Sequence, residues 1–220
     1  HYDPSTGEFR YYPRIEGDTS SLSAPVAWVT LEDSKQRVWT GTAYGLNLLD
    51  RATGTFTQYL PEANNPNSLT NGSILALFED AEKRLWIGSD MGLHRYREAT
   101  NDFEQIGAKE GFADLGIRAI NQDNDGFLWL GTNNGIVRYH PDKKIVKNFM
   151  RFNGQLIGGV ATGSSVKTRD GNIVFGTRNG LFMFDPDQLQ DHTPQAAPNI
   201  VLTEFRLFNE KVVAGSSDGI

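Results

Sequence analysis

Apolar residues along this chain fall in short runs, each closed by polar turn residues and a glycine. The run Ile74 to Glu79 is followed by Leu85-Trp86-Ile87-Gly88-Ser89 and then by Gly92-Leu93. Short runs bounded by Gly, Asn and Asp read as β-strands joined by tight turns. The same pattern recurs: Trp39-Thr40-Gly41-Thr42, Trp86-Ile87-Gly88-Ser89, Trp129-Leu130-Gly131-Thr132 and Val174-Phe175-Gly176-Thr177, with the glycines 47, 43 and 45 residues apart. A second glycine followed by an aliphatic residue keeps the register at Gly45, Gly92, Gly135 and Gly180, and six residues before each tryptophan stands Asp33, Asp80 or Asp123. The fourth unit has Thr168 in that place and Asp170-Gly171 just after it. Self-similarity at this period marks repeat architectures.

Each unit predicts four strands: one ending near the aspartate, one carrying the tryptophan, one after the Gly-Leu pair, and one around Phe56, Phe103 or Phe149. The aspartate sits where the chain reverses, and its carboxylate can accept hydrogen bonds from nearby backbone amides. An indole in the second strand can cover the neighbouring sheet; burying about 200 Å² of it gives on the order of 5 kcal/mol before entropic and polar costs. Gly41, Gly88, Gly131 and Gly176 leave room for close strand approach, while Gly45, Gly92, Gly135 and Gly180 permit positive φ in the next turn. No single unit buries both faces, so units must lean on one another, and a ring of such sheets typically takes about four to eight. The expected fold is all-β, a β-propeller fragment of about four four-stranded blades.

The series Leu77-Phe78-Glu79-Asp80, Leu85-Trp86-Ile87-Gly88-Ser89 and Gly92-Leu93 resembles the two-component regulator propeller repeat. The turns Pro66-Asn67-Ser68-Leu69 and Ser20-Ser21-Leu22, and the ends Asp50-Arg51-Ala52-Thr53-Gly54-Thr55-Phe56 and Tyr2-Asp3-Pro4-Ser5-Thr6-Gly7-Glu8-Phe9, are similar to it too. On this reading residues 1–14 are the end of a preceding blade, 15–60, 61–107, 108–152 and 153–193 are blades, and 194–199 form a Pro/Ala linker. Residues 200–220, with alternation in Val201, Thr203, Phe205 and Leu207, resemble the opening of the immunoglobulin-like, three-tyrosine sandwich that follows the propeller in that family. Both ends lead us to expect a piece of a longer protein. The resemblance implies a periplasmic, extracytoplasmic sensor region of an inner-membrane receptor, a hybrid histidine kinase or alternatively a diguanylate cyclase, whose output module lies outside these residues.

Composition narrows the chemistry. The chain of 220 residues has no cysteine, which removes disulfides, thiolate metal sites and a cysteine nucleophile. With 21 basic and 27 acidic residues intermixed, it lacks the concentrated basic field that nucleic acid or an anionic membrane requires. No run approaches the roughly 18 apolar residues of a membrane helix, so direct membrane insertion of this segment is not expected. Asn121-x-Asp123-x-Asp125-Gly126 matches half of an EF-hand loop, but Thr132 stands where the bidentate glutamate belongs. We therefore expect a hairpin turn there, no metal and no cofactor. His1, His94, His140 and His192 are scattered and read as surface residues. Ser20 to Ser23 and Ser164-Ser165 read as polar loops, and the glycines of 154–163 do not form a phosphate-binding loop. No catalytic constellation emerges, so the segment is not expected to be an enzyme; a propeller lyase or lactonase is one rival reading and a protein-interaction scaffold another.

Propeller geometry places a ligand on the face built from turns between second and third strands and from the connections between blades. The candidate rim is Tyr44, Asp90, Asn133, Asn134, Arg178 and Asn179, with Asn64 and Asn67 from the long 61–73 connection. An amide-rich rim with a tyrosine and an arginine suits a polar small molecule or oligosaccharide. The competing explanation is that Asn stands beside Gly because such turns need positive φ. Open apolar faces on the terminal blades would favour self-association, or pairing with missing blades.

Overall fold

The structure is a computed structural model that describes residues 2–3, 7–70, 72–107, 109–112, 115–152, 155–188, 205–207 and 210–212. Every helix or strand among the described residues is a strand. A two-stranded hairpin, β1 (Tyr2–Asp3) and β2 (Glu8–Phe9), precedes three four-stranded antiparallel sheets. Blade 1 consists of β3 (Ala27–Glu32), β4 (Val38–Thr42), β5 (Leu46–Leu49) and β6 (Phe56–Tyr59). Blade 2 is β7 (Ile74–Glu79), β8 (Leu85–Ser89), β9 (Gly92–Arg97) and β10 (Asp102–Ile106). Blade 3 is β11 (Ile117–Gln122), β12 (Leu128–Thr132), β13 (Gly135–His140) and β14 (Ile145–Phe149). After a short hairpin of β15 (Arg151–Phe152) and β16 (Gln155–Leu156), blade 4 has β17 (Val160–Lys167), β18 (Ile173–Thr177) and β19 (Gly180–Phe184), three strands among the described residues.

These sheets belong to one compact unit, His1–Pro186. The first strands of successive blades contact one another, as the innermost strands of a propeller do. A second unit, Asp187–Ile220, contains the hairpin β20 (Phe205–Leu207) and β21 (Glu210–Val212); the linker and the residues Val201 and Thr203 lie outside the described residues.

The turn between first and second strands is built as the sequence predicts and does more than reverse the chain. In blade 1 the Asp33 Oδ1 atom accepts from the backbone N–H groups of Lys35 and Arg37, both at 3.0 Å. Its Oδ2 atom accepts from the Trp39 indole at 2.8 Å and from Arg37 Nε at 2.7 Å. Burial pushes the Asp33 carboxyl upward, but these donors outweigh it and hold it below the usual carboxylate range. The indole-to-carboxylate bond recurs at 2.8 Å in Trp86 to Asp80 and Trp129 to Asp123. The fourth turn residue has positive φ in every blade: Gln36 (63°), Lys83 (66°), Gly126 (84°) and Gly171 (90°).

Each indole is buried against the next blade. Trp39 shares a core with Leu69, Ile74, Leu85 and Phe103 of blade 2, and its ring centroid lies 5.0 Å from that of Tyr96. Trp86 meets Tyr139 of blade 3 edge-on at 6.4 Å, and Trp129 meets Phe184 of blade 4 at 4.6 Å. The motif glycines sit at the same interfaces. A Cβ on Gly41 would come 2.6 Å from Ile74 Cγ2, one on Gly88 2.7 Å from the Ile117 carbonyl oxygen, and one on Gly131 2.7 Å from Val160 Cγ1. The first residue of each following inner strand thus rests on the glycine, and this close approach lets the indole beside it be covered completely.

Trp86 is 1% exposed, and removing it would leave an interface cavity and take one hydrogen bond from the buried Asp80 carboxylate, which keeps its bonds from Arg84. Trp86→Ala is expected to lower unfolding free energy by about 3–5 kcal/mol, read as a lowered urea midpoint with an unchanged slope.

Candidate functional site

The rim is held by a hydroxyl in each turn between second and third strands. Thr42, Ser89, Thr132 and Thr177 donate to the carbonyls of Gly45, Gly92, Gly135 and Gly180 at 3.0–3.1 Å. The same oxygens accept the backbone N–H groups of Tyr44, Met91, Asn134 and Asn179 at 3.0–3.3 Å. The glycines that close these turns have φ of 92°, 134°, 113° and 128°. This pairing explains why Thr or Ser ends every motif, and it leaves the turn side chains free of any role in closing the turn.

The eight candidate residues do not form one cluster. Tyr44 and Asn64 come together: Tyr44, 44% exposed, forms with the 61–70 connection an open groove of about 670 Å³ that also includes Pro61, Pro66, Met91 and Gln105. Asn67 lies exposed on the same connection, outside the lining, with its carbonyl accepting from the Phe103 N–H at 2.9 Å. Asp90 accepts from the Ser73 backbone N–H at 3.4 Å. Asn133 accepts from Arg118, while Asn134 lines a separate pocket of about 220 Å³ beside Met150. Arg178 and Asn179 are exposed on the blade 4 turn. Among these asparagines only Asn64 has positive φ, 64°, so the backbone explanation for asparagine beside glycine fails at Asn133, Asn134 and Asn179. The glycine alone carries the left-handed conformation there.

Two rim features were missed in the sequence. The pairing of first and second strands skips one residue at Trp28, Leu75 and Arg118, a β-bulge in each of the first three inner strands; blade 4 is irregular over Val160 to Ser165. Bulges re-aim side chains next to sites. Trp28 is 49% exposed, and Arg118 bridges Asn133 to Thr162 of the next blade, with NH1 to Oγ1 at 3.1 Å. The only signal for these positions was an unpaired residue in the strand register, which a period-two pattern does not display.

The described histidines are not surface residues. His94 is 1% and His140 7% exposed; His1 and His192 lie outside the described residues. His94 Nε2 accepts the Thr70 backbone N–H at 3.1 Å, and Asn47 Oδ1 does the same for Ser23 in blade 1 at 2.9 Å. Both side chains pin the incoming connection to the third strand. His140 Nδ1 accepts from Asp142 and Lys143 N–H groups, each at 3.3 Å, and meets the Phe127 ring edge-on at 4.8 Å. Ser21 and Ser23 are buried and hydrogen-bonded within the same anchoring connection, so they too are structural and not loose loop residues.

A fold of Trp-and-Asp blades with hydroxyl-locked rim turns defines a repeat propeller. Residues 68–91 and 111–134 match the two component regulator propeller model. No curated protein matches the chain in sequence. The fold is shared with the extracellular domain of BT3049 from B. thetaiotaomicron, described as a hybrid two component system: TM-score 0.65 and 22% identity over 85% of this chain and 24% of that one. It is shared also with the extracellular domain of BT4673, a one component system by its description, from the same organism: TM-score 0.62, 23% identity, 74% of this chain and 22% of that one. PorZ, a surface component of the type-IX secretion system of Porphyromonas gingivalis, matches with TM-score 0.58 and 17% identity over 84% of this chain and 28% of that one. The chain therefore spans about a quarter of the length of these structures.

Burial lowers the His94 pKa from 6.5 to about 4, with the nearby Ile87 carbonyl acting weakly in the other direction. The folded chain thus holds this ring neutral where the unfolded chain protonates it. Its contribution to stability is complete above pH 6.5 and is lost as pH falls toward 4, by up to about 3 kcal/mol. His94→Asn, which imitates Asn47, is expected to flatten this part of the stability profile in urea titrations between those two pH values. An unchanged slope would assign the acid sensitivity to other groups.

Proposed function

We propose that the chain is part of the extracytoplasmic, periplasmic sensor region of a bacterial two-component receptor, and that its rim binds a polar ligand such as an oligosaccharide. The groove between Tyr44 and the 61–70 connection carries this reading. It offers a half-exposed aromatic face for a sugar ring, with the amides of Asn64, Asn65 and Gln105 and the carboxylate of Glu62 around it. The family of the repeats and the extracellular origin of the first two structural relatives support a sensor placement. Signal output, by a histidine kinase or a diguanylate cyclase, would belong to the parent protein, and this segment would sense and transmit.

Calorimetry with a panel of neutral and acidic oligosaccharides tests the site. Tyr44→Ala is expected to weaken binding about tenfold or more, which is about 1.4 kcal/mol. Asn134→Ala, outside the groove, should leave it unchanged. Absence of binding across the panel, or equal affinity of the Tyr44 variant, would remove the groove as the ligand site.

A further inference from the structure

Two repeat positions lie at the rim end of every internal blade interface: the bulged residue of one inner strand, and the first residue of the turn between the second and third strands of the next blade. Between blades 1 and 2 these are Trp28 and Asp90, and between blades 2 and 3 they are Leu75 and Asn133. Between blades 3 and 4 they are Arg118 and Arg178. The fold accepts an aromatic, an aliphatic, an amide or an acid at these places, so it does not call for a cation at either. Two guanidiniums at one interface therefore need another explanation.

Arg118 is half-buried and held on two sides. Its Nε donates to Asn133 Oδ1 on its own blade, and its Nη1 donates to Thr162 Oγ1 on blade 4 at 3.1 Å. Both acceptors are neutral, and among the described residues no carboxylate pairs with this guanidinium, whereas Arg37, Arg84 and Arg97 each meet an aspartate. The Asn133 amide is fixed in turn, since a Cβ on Gly116 would stand 2.8 Å from its Nδ2. The two rim turns converge on Gly158 and Gly159. A Cβ on Gly159 would lie 2.8 Å from the Asn133 carbonyl oxygen, and the Gly159 carbonyl accepts the Arg178 N–H at 3.2 Å. A Cβ on Gly158 would lie 3.4 Å from Asn179 Nδ2. The bonds of Arg118 and the turn of Arg178 and Asn179 thus flank one short segment.

No acidic residue offsets these charges. From Lys143 to Arg169 the chain carries six basic residues and no acidic one, and the next acid, Asp170, stands in the turn between β17 and β18, at the end of the blade opposite the rim. The rim of blades 1 and 2, by contrast, carries Glu62 and Asp90. A planar guanidinium already held in position and partly withdrawn from water matches a carboxylate through two parallel hydrogen bonds. We propose that the rim between blades 3 and 4 is a subsite for the carboxylate of an acidic ligand, such as a uronic acid residue. Arg118 anchors the anion, and Arg178 and Asn179 add charge and a hydrogen-bond donor. The subsite rests on the reading of the rim as ligand-binding, not on the Tyr44 groove, and it uses neither the outer face of blade 1 nor that of blade 4.

Titration with a trimer of galacturonic acid at pH 7, followed by amide NMR shifts, tests this; the fully methyl-esterified trimer is the uncharged match. The acid should shift the signals of residues 116–118, 133 and 158–162 and bind at least about tenfold tighter than the ester. Arg118→Gln should bring the acid down to the affinity of the ester. Arg178→Gln changes an exposed side chain and should weaken the acid about threefold, so it decides the matter should Arg118→Gln fail to fold. Tyr44→Ala should leave the ratio of acid to ester unchanged, which separates this subsite from the groove. Equal affinity of acid and ester, or wild-type affinity for the acid in the folded arginine variants, would overturn the proposal. So would failure of the acid to bind, while binding of a neutral oligosaccharide that depends on Tyr44 would leave the groove standing alone.

Discussion

A buried carboxylate bound to a buried indole is the constraint on which the rest of this structure depends. Asp33, Asp80 and Asp123 are 2–6% exposed, and each accepts the indole N–H of the tryptophan six residues on. A carboxylate in such a place is costly unless its lone pairs are filled. Asp33 fills them with two backbone amides, one indole and one guanidinium. The bond ties a local event, closure of a hairpin turn, to a distant one, burial of the indole under the next blade. A turn that closes wrongly misplaces the ring, and a ring without its neighbour leaves the turn exposed to water.

Departures from the repeat follow from the same bond. In blade 3 Phe127 replaces the arginine found at Arg37 and Arg84, and Arg138 on the facing strand supplies the cation, with its guanidinium 3.7 Å from the Phe127 ring centroid and 3.8 Å from Asp123. Position is exchanged while charge is kept. In blade 4 the tryptophan and the aspartate disappear together, as Val174 and Thr168. With no indole N–H to receive, a buried anion would be uncompensated, and the Thr168 hydroxyl, bonded to the Asn172 carbonyl at 3.1 Å, completes the turn without charge.

Blade number, strand order, the interface indoles and the positive-φ glycines were legible because each rests on residues close in sequence and repeated in register. His94 and the rim were not. Whether a histidine on a third strand is buried depends on the backbone amide of Thr70, 24 residues away, and no local period encodes that partner. Arg118, Asn133 and Thr162 likewise meet only after two blades have packed. Turn type could be read, but not which turns would share a groove: Tyr44 and Asn64 meet because the 61–70 connection lies over the first rim turn, while Arg178 stands on blade 4.

That connection shows how the scaffold holds one wall of the groove. The Ser68 hydroxyl accepts the Glu62 N–H at 3.1 Å, the Ser68 carbonyl accepts from Gln105 at 3.2 Å, and Leu69 is buried in the interface of blades 1 and 2. The loop is thus fastened at its base, and Ala63, Asn64, Asn65 and Pro66 between the fastened points form part of the wall of the groove. Ser21 and Leu22 fasten the corresponding base in blade 1, where the Ser21 hydroxyl donates to the Asp18 carbonyl at 2.8 Å. The 61–70 connection is thus held at both ends by the blades, and its middle residues line the groove without touching an indole or an aspartate of the repeat. The Tyr44 side chain takes no part in closing its own turn, where only the backbone N–H is bound by Thr42, and it is this side chain that lines the groove.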